Sequence, residues 1–434
     1  MRRLRHMPAT GGTLGKALLI FTAFSAARAA SPTLTTLYNF TGGSDGFFPL
    51  AGVVIGSGGV LYGTTYSLGF GKSTNTGTAF SLTPPASAGG TWTQATIQEF
   101  TGDNGLYPGG ILAIGGGGVL YGTCSAGGAG GTLYGTAFSL TPPASPGGGW
   151  IGAVLYSFAS GYGHEPVAGI AIGIGGVLYG TTSSYATVYA LVPPASSGGA
   201  WTEHDVHTFT PSLATNPEGG VVIGKDGVLY GTTGLGGGGG SDCSPHGCGT
   251  VFSLTPSATP GGAWTETVLH SFTDDGGSDG AYPDAGVVID GSGVLYGTTQ
   301  GGGTTGYGTV FSLTPPSSPG GAWTETILYN FSGGSDGAHP VASVAVGRGG
   351  VLYGTTPGGG TGYGVVFSLS PPVSRGSPWT ETVLHAFSGA DGSGPMAPVA
   401  IGSDGALYGT TKYGGTYPCG ALSNGCGTVF SLAP

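Results

Sequence analysis

The sequence predicts an all-β protein folded as a seven-bladed β-propeller. The tetrapeptide LYGT occurs seven times in 434 residues, beginning at Leu61, Leu120, Leu178, Leu229, Leu295, Leu352 and Leu407. Successive copies lie 51 to 66 residues apart, a period typical of propellers and other repeat architectures. Each period holds four runs rich in β-branched and aromatic residues, bounded by Gly, Pro, Ser and Asp, as four antiparallel strands would be.

One repeat shows the predicted strands in order. Between Tyr282 and Phe331 they read AGVVID, GVLYGTT, GTVFSL and WTETILYNF. Gly291-Ser292-Gly293 suits a tight hairpin because glycine tolerates positive φ. Pro315-Pro316 ends the third strand because proline donates no hydrogen bond to a sheet. Since Leu and Tyr of LYGT point to opposite faces, we expect them to contact the two neighbouring blades.

The two ends of the repeat region predict how the ring closes. Thr33–Phe40 is a lone copy of the fourth strand, and the chain ends just after a third strand at Val429–Leu432. Pairing of these strands completes the last blade and removes an open sheet edge. The internal copies begin with a tryptophan, whereas the N-terminal copy has Ser31-Pro32, so we expect the closing blade to be the weakest.

Two other architectures fit the sequence less well. The 96 glycines and 30 prolines approach the composition of disordered chains, but 39% of residues are hydrophobic. The glycines also recur at fixed places between the predicted strands. A parallel β-helix has coils of roughly 20–30 residues, about half the length of this unit.

The N-terminus predicts export. Residues 1–29 combine a basic start (Arg2, Arg3 and Arg5), an apolar core at Ala17–Ala27 and a small-x-small site, as a secretory signal does. The core is too short to span a membrane. We therefore expect residues 30–434 to be the propeller domain of a secreted protein, whether periplasmic, extracellular or on the cell surface.

The net charge limits the classes of partner that we expect. Removing residues 1–29 removes five of ten basic residues and leaves 20 acidic ones, a formal charge of −15, which argues against nucleic acid and anionic membranes. We expect a monomer with no membrane span.

Cys243 and Cys248 lie in one predicted loop, and Cys419 and Cys426 lie in another on a distant blade. Local disulfides are therefore predicted, with Cys124 left as a free thiol. A metal site at Cys243, His246 and Cys248 is the alternative.

The repeat resembles a known family. The segments AGVVI, VLYGTT and GTVFSL, together with the WTE fourth strand, closely resemble the GloVer tandem repeat of exported bacterial proteins, over roughly Thr33–Leu432. The resemblance implies no established activity. The first strand pair also resembles that of NHL-type propellers, which implies that AGVVI lies nearest the central axis and the tryptophan strand at the rim.

The candidate binding residues lie in the loops between blades. GGSDGxxP occurs at Gly42–Pro49, Gly276–Pro283 and Gly333–Pro340, with looser versions elsewhere. These loops offer hydrogen-bond acceptors and aromatic faces suited to a sugar or to Ca²⁺. Ca²⁺ is the one cofactor that the sequence suggests. The alternative is that each Asp caps its own turn while the ring packs on a neighbour. The candidates are Asp45, Phe48, Asp103, Tyr107, His164, Glu165, Asp279, Tyr282, Asp336, His339 and Asp391.

These features favour a non-enzymatic scaffold that binds a glycan or a protein through its loop face. The sequence contains no GxSxG, HExxH or GxxxxGK[ST] motif, and the innermost strands carry no ionisable residue except Asp290. His164 beside Glu165 could form a catalytic or metal pair. Glu203, Glu266, Glu325 and Glu381 recur in the fourth strand and are expected to be exposed. The alternative function is a carbohydrate-active hydrolase or lyase at the loop-face end of the central channel.

Overall fold

A computed structural model gives the fold of the chain. It describes residues 32–68, 76–87, 89–131, 134–145, 147–159, 164–196, 198–210, 214–237, 243, 245–259, 261–273, 279–318, 320–374, 376–419 and 424–433. The predicted signal peptide at residues 1–29 lies outside the described residues and stays a prediction. Residues 32–434 form one compact unit.

Seven antiparallel sheets form a ring, which confirms the predicted seven-bladed propeller; six have four strands, and blade 3 has a fifth, His164–Pro166. Blades are numbered 1 to 7 by their LYGT copy, and each contains an innermost, a second, a third and an outer strand. The innermost strands are Val54–Ile55, Ala113–Ile114, Ala171–Ile172, Val222–Ile223, Val288–Ile289, Ala345–Val346 and Ala400–Ile401. The second strands are Leu61–Leu68, Leu120–Cys124, Leu178–Ser184, Leu229–Thr233, Leu295–Thr299, Leu352–Thr356 and Leu407–Thr411.

The third and outer strands of each blade are longer than its innermost strand. The third strands are Thr76–Thr83, Thr136–Thr141, Thr187–Val192, Thr250–Thr255, Thr309–Thr314, Val365–Ser370 and Thr428–Ala433. The outer strands of blades 1 to 6 are Thr93–Glu99, Ile151–Ser157, Thr202–Thr208, Thr265–Ser271, Thr324–Asn330 and Thr380–Ala386. The innermost strands are only two residues long, shorter than the sequence pattern suggests, because each is flanked by glycine-rich turns at the axis.

The N-terminal strand closes the ring as predicted. Thr33–Asn39 is the outer strand of blade 7 and pairs antiparallel with Thr428–Ala433. Its register shifts between Thr36 and Tyr38, and the outer strands of the other blades shift at the equivalent place. The lone copy therefore adopts the geometry of an internal blade.

The core lies between blades rather than within them. Leu229 of blade 4 is fully buried against Val188 and Phe209 of blade 3, whereas Tyr230 packs against the cluster shared with blade 5. The first two residues of LYGT thus contact opposite neighbours, as expected. Aromatic pairs join adjacent blades in the same way, for example Phe272 with Phe311 at 5.2 Å between ring centroids.

Candidate binding face

Two sets of loops meet on one face of the ring, which we call the loop face. One set joins each outer strand to the next blade, and the other joins the second and third strands. The two sets are hydrogen-bonded to each other within a blade: Phe47 bridges Ser67, Leu106 bridges Ala126, and Gly280–Ala281 pairs with Gly301–Gly302. The opposite face carries short turns such as Ser57–Gly59.

One proline recurs in each loop that joins two blades, and the residue before this recurring proline has a left-handed backbone in every case. The φ angles of these residues lie between 55° and 65°, a region that non-glycine residues rarely occupy. The seven residues are Phe48, Tyr107, Glu165, Asn216, Tyr282, His339 and Gly394. This conformation turns the backbone N–H towards the preceding blade, where Tyr282 donates to the Cys248 carbonyl at 2.8 Å.

The side chains of four candidate residues pack against loop neighbours. Phe48 contacts the Tyr413 ring at 5.1 Å, Tyr107 stacks on Tyr66 at 4.8 Å, and His339 lies 5.4 Å from Tyr307. Tyr282 is part of the cluster around the Cys243–Cys248 disulfide. These rings contribute to the joints between blades.

Asp45 and Asp336 cap their own turns. The Asp45 carboxylate accepts hydrogen bonds from the backbone N–H of Thr41 at 2.7 Å and from the Tyr38 hydroxyl at 3.0 Å. Asp336 accepts the equivalent bonds from Ser332 and Tyr329. Burial raises the pKa of Asp336, but the hydrogen bonds from Ser332 and Tyr329 outweigh it and leave the pKa below its usual value.

Asp279 and Asp391 occupy the same position but pair with histidine. His270 Nε2 lies 3.3 Å from Asp279, and His385 Nε2 lies 2.8 Å from Asp391. Burial raises the pKa of Asp279, whereas the hydrogen bond and charge of His270 lower it more, so that the net shift is downward. His270 and His385 thus stand where Tyr38 and Tyr329 do, as the outer-strand partners of the capping carboxylates.

The remaining candidates depart from the motif. Asn104 caps the turn of blade 2, with its Oδ1 2.6 Å from the Thr101 backbone nitrogen, and the candidate Asp103 beside it is exposed. The Glu165 carboxylate accepts a hydrogen bond from the Ser184 hydroxyl at 2.8 Å. His164 lies in the short strand His164–Pro166, opposite Ser184.

The cysteines follow the predicted pairing. Disulfides join Cys243 to Cys248 and Cys419 to Cys426, so both blade 4 thiols of the alternative metal site are bonded to each other. Cys124 is a free, buried thiol, and burial raises its pKa. Within the described residues, no group of three or more His, Cys, Asp or Glu side chains is placed to hold a metal ion.

The exposed aromatic residues are concentrated on the loop face. Within the part of the chain that the structure describes, four aromatic side chains are exposed, by 41% to 56%, and all four are tyrosines of the second-to-third loops. They are Tyr185, Tyr307, Tyr363 and Tyr417. Sequence analysis missed them because their loops differ in length and do not share one motif.

Two of these tyrosines line a pocket of about 550 Å³ between blades 6 and 7. We call it the blade 6–7 pocket. Tyr363 belongs to the blade 6 loop, and Tyr413 and Tyr417 belong to the blade 7 loop. Ser388 and Ser393, from the connection between the blades, complete one wall. None of the eleven residues predicted from the sequence lines this pocket.

A smaller cavity of about 180 Å³ lies on the axis of the ring and is lined by all seven blades. The residue after the recurring proline faces it and is apolar or glycine in five blades, but is Glu218 in blade 4 and Asp284 in blade 5. Burial, followed by the charge of Glu218, raises the pKa of Asp284 to about 7. A comparison of the residue after the recurring proline across the seven repeats would have identified Glu218 and Asp284 from the sequence.

The chain matches one family model over residues 20–190 and 239–434, which is most of its length. That model describes the Gloeobacter/Verrucomicrobia repeat.

The protein belongs to the Gloeobacter/Verrucomicrobia repeat family.

Solved structures share the fold of this family member at low sequence identity. A streptogramin B lyase is 15% identical, with a TM-score of 0.52 over 93% of this chain and 97% of that one. An inactive virginiamycin B lyase from Staphylococcus aureus, with quinupristin, is 13% identical, with a TM-score of 0.53 over 93% and 100%. The extracellular domain of a hybrid two-component system from B. thetaiotaomicron is 11% identical, with a TM-score of 0.53 over 93% of this chain and 41% of that one.

These similarities concern the fold alone. No curated protein is significantly similar in sequence to this repeat protein. Among the described residues, no helix has the length and apolar character needed to cross a membrane.

Proposed function

We propose that this repeat protein is an exported, non-enzymatic scaffold that binds a glycan through its loop face. The location of the four exposed tyrosines supports this most directly. A tyrosine presents a flat apolar ring and a hydrophilic hydroxyl, which suits a sugar because a pyranose also has an apolar face and polar edges. Variable loops on a rigid scaffold are common places for binding.

Charge and compartment support the same function. Residues 30–434 contain only 25 charged side chains, so the surface is dominated by hydroxyls, amides and backbone groups that can bond to sugar hydroxyls. Export is supported by the predicted signal peptide and by the two disulfides, since disulfides persist mainly outside the cytoplasm.

The proposal is tested by retention of the purified protein in gels that contain single polysaccharides. We expect at least one neutral polysaccharide to slow the wild type, and the variant with Tyr185, Tyr307, Tyr363 and Tyr417 changed to alanine to run freely. The matched control changes Ile174 and Val373, which are highly exposed on the opposite face, to alanine. Unaltered retention of the tyrosine variant contradicts the proposal. A wild type retained by no polysaccharide also contradicts it and favours a protein ligand for this face.

A hydrolase or lyase at the loop-face end of the channel is the second candidate, and Glu218 with Asp284 favours it. Two carboxyl groups of which one has its pKa raised to about 7 can serve as a general acid and a general base. It ranks second because a cavity of about 180 Å³ lies below the roughly 300–1,000 Å³ of typical ligand pockets. Release of reducing ends from a polysaccharide, lost in Asp284→Asn, would favour it over the scaffold.

A further inference from the structure

One backbone position distinguishes the junction between blades 6 and 7 from the other six. The residue before the recurring proline has the same left-handed conformation in all blades, and Gly394 at φ 61° is the only member without a side chain. His339, at the preceding junction, has φ 55°. The backbone conformation at Gly394 therefore does not require glycine.

At the junction between blades 5 and 6, the equivalent space is filled. The His339 ring lies 5.4 Å from the Tyr307 ring, and its Nδ1 is 2.9 Å from the Gln300 carbonyl. The His339 backbone N–H donates to the Tyr307 carbonyl at 2.9 Å. Gly394 donates to the Tyr363 carbonyl at the same distance, so the two junctions share a backbone and differ in the side chain above it.

At the blade 6–7 junction, the Tyr413 ring lies beside the place of this missing side chain and also lines the pocket. A β-carbon added to Gly394 would lie 3.7 Å from Cδ2 of Tyr413, one of the pocket residues. Tyr413 itself occupies a position that is Ser67, Ala126 or Gly301 in other blades. The junction thus combines a missing side chain before the proline with an added ring at Tyr413, and no other junction has either feature.

The lining determines the class of ligand. Three tyrosine rings provide flat apolar surfaces, and Ser388, Ser393 and Thr416 provide hydroxyls. No Asp, Glu, Lys, Arg or His is among the described residues that line the pocket. Its volume of about 550 Å³ is within the range of small-molecule sites. Stacking rings with hydroxyls and no charge match a neutral sugar ring better than a charged or a wholly apolar ligand.

We propose that the blade 6–7 pocket binds a neutral saccharide unit, stacked against the rings of Tyr363, Tyr413 and Tyr417 that line it. This inference rests on the proposed glycan-binding function and assigns it to one junction of the loop face.

Isothermal titration calorimetry with cellohexaose, maltohexaose, mannohexaose and xylohexaose tests the assignment on the full protein. We expect one or more to bind, and Gly394→His to weaken binding at least tenfold, because the imidazole would contact and displace the Tyr413 ring that lines the pocket. Tyr417→Ala removes an exposed ring without filling the pocket and should have the same effect. The control Ile174→Ala, which shortens an exposed apolar side chain on the opposite face, should leave the Kd within about twofold.

The outcomes separate this inference from the function on which it rests. Binding that survives both Gly394→His and Tyr417→Ala overturns the pocket assignment, while loss of binding in the four-tyrosine variant would keep the loop-face function. An acidic hexasaccharide, oligogalacturonate, that binds more tightly than every neutral one overturns the neutral class. Failure of the wild type to bind any glycan overturns the proposed function itself. Circular dichroism of each variant checks that it is folded.

Discussion

Individual residues show where this repeat protein departs from its own symmetry. Six blades place a phenylalanine in the third strand against the aromatic ring of the preceding blade, but blade 3 has Tyr189 there. The Tyr189 side chain is almost fully buried, and among the described residues its hydroxyl has no hydrogen-bond partner. Thr64 is a similar case, since its hydroxyl is unpaired whereas the equivalent Thr298 donates to Ala342 at 2.9 Å.

Changing Tyr189 to phenylalanine is expected to stabilise the protein. A buried hydroxyl without a partner costs about 1–3 kcal/mol of desolvation, and phenylalanine keeps the ring packed against Phe158. Denaturant unfolding should therefore give a higher midpoint for Tyr189→Phe.

The reverse change at an equivalent position is the control. Phe252→Tyr places a hydroxyl in the buried core of blade 4 and should destabilise the protein by a similar amount. A lower midpoint for Tyr189→Phe would show that the hydroxyl is hydrogen-bonded in solution, to an ordered water for example.

At the scale of elements, the sequence alone mispredicts how exposed the glutamates of the outer strands are. Glu203, Glu325 and Glu381 were expected to be exposed, but each is half-buried against the preceding blade. Burial is the largest cause that raises the pKa of each to about 7. Glu325 faces His270, which lowers its pKa, and Asp279, which raises it, whereas Glu381 faces Asp336. Their partners lie one repeat away in the chain, so that the strand sequence alone does not reveal the burial.

These glutamates should make the protein most stable at mildly acidic pH. A folded pKa of about 7 against an unfolded value near 4.5 means that the folded state holds extra protons between these values, so stability falls as pH rises towards 7. The capping aspartates act in the opposite direction below about pH 4, because their folded pKa values are lowered. Unfolding curves should thus show a maximum between about pH 4 and pH 4.5.

Glutamine variants test this pattern. Glu325→Gln with Glu381→Gln should flatten the fall in stability between pH 5 and pH 8 and stabilise the protein at pH 8 by about 1 kcal/mol per site, a figure reduced for partial solvation. Glu266→Gln is the control, because that carboxylate has an ion-pair partner, His207, at 3.2 Å. An unchanged pH profile in the double variant contradicts the raised pKa values.

At the scale of the whole molecule, stability depends on closing the ring. Blades are held by contacts with two neighbours, and the last junction depends on the strand Thr33–Asn39. Tyrosine–tryptophan contacts join other blades, such as Tyr230 with Trp323 at 5.9 Å, but Pro32 stands where blade 7 would have its tryptophan. The N-terminal strand therefore completes the sheet without the aromatic contact.

Two variants measure the contribution of closure. Deleting Thr33–Asn39 exposes the edge of Thr428–Ala433 and should promote larger oligomers or aggregates than the undeleted protein forms, as seen by light scattering after gel filtration. Pro32→Trp should raise the unfolding midpoint by adding a ring beside Tyr353 of blade 6. A stable monomer after the deletion contradicts the proposed role of the strand.

The sequence by itself determined the architecture of this protein. The recurrence of LYGT, the four apolar runs per repeat and the split fourth strand predict seven blades and their closure, because strand periodicity and turn residues are local properties of the chain. The spacing of the cysteines likewise predicted both disulfides, since Cys243 and Cys419 each have a partner within the same loop.

Only the tertiary structure decided which surfaces remain open. The motif residues Asp45 and Asp336 turn out to cap their own turns, while the pocket is lined by Tyr363, Tyr413 and Tyr417, which share no motif. Glu218 and Asp284 likewise meet at the axis although they are a full repeat apart. The physical reason is that each cavity forms between blades, where it depends on side chains from separate repeats whose proximity is created by the ring.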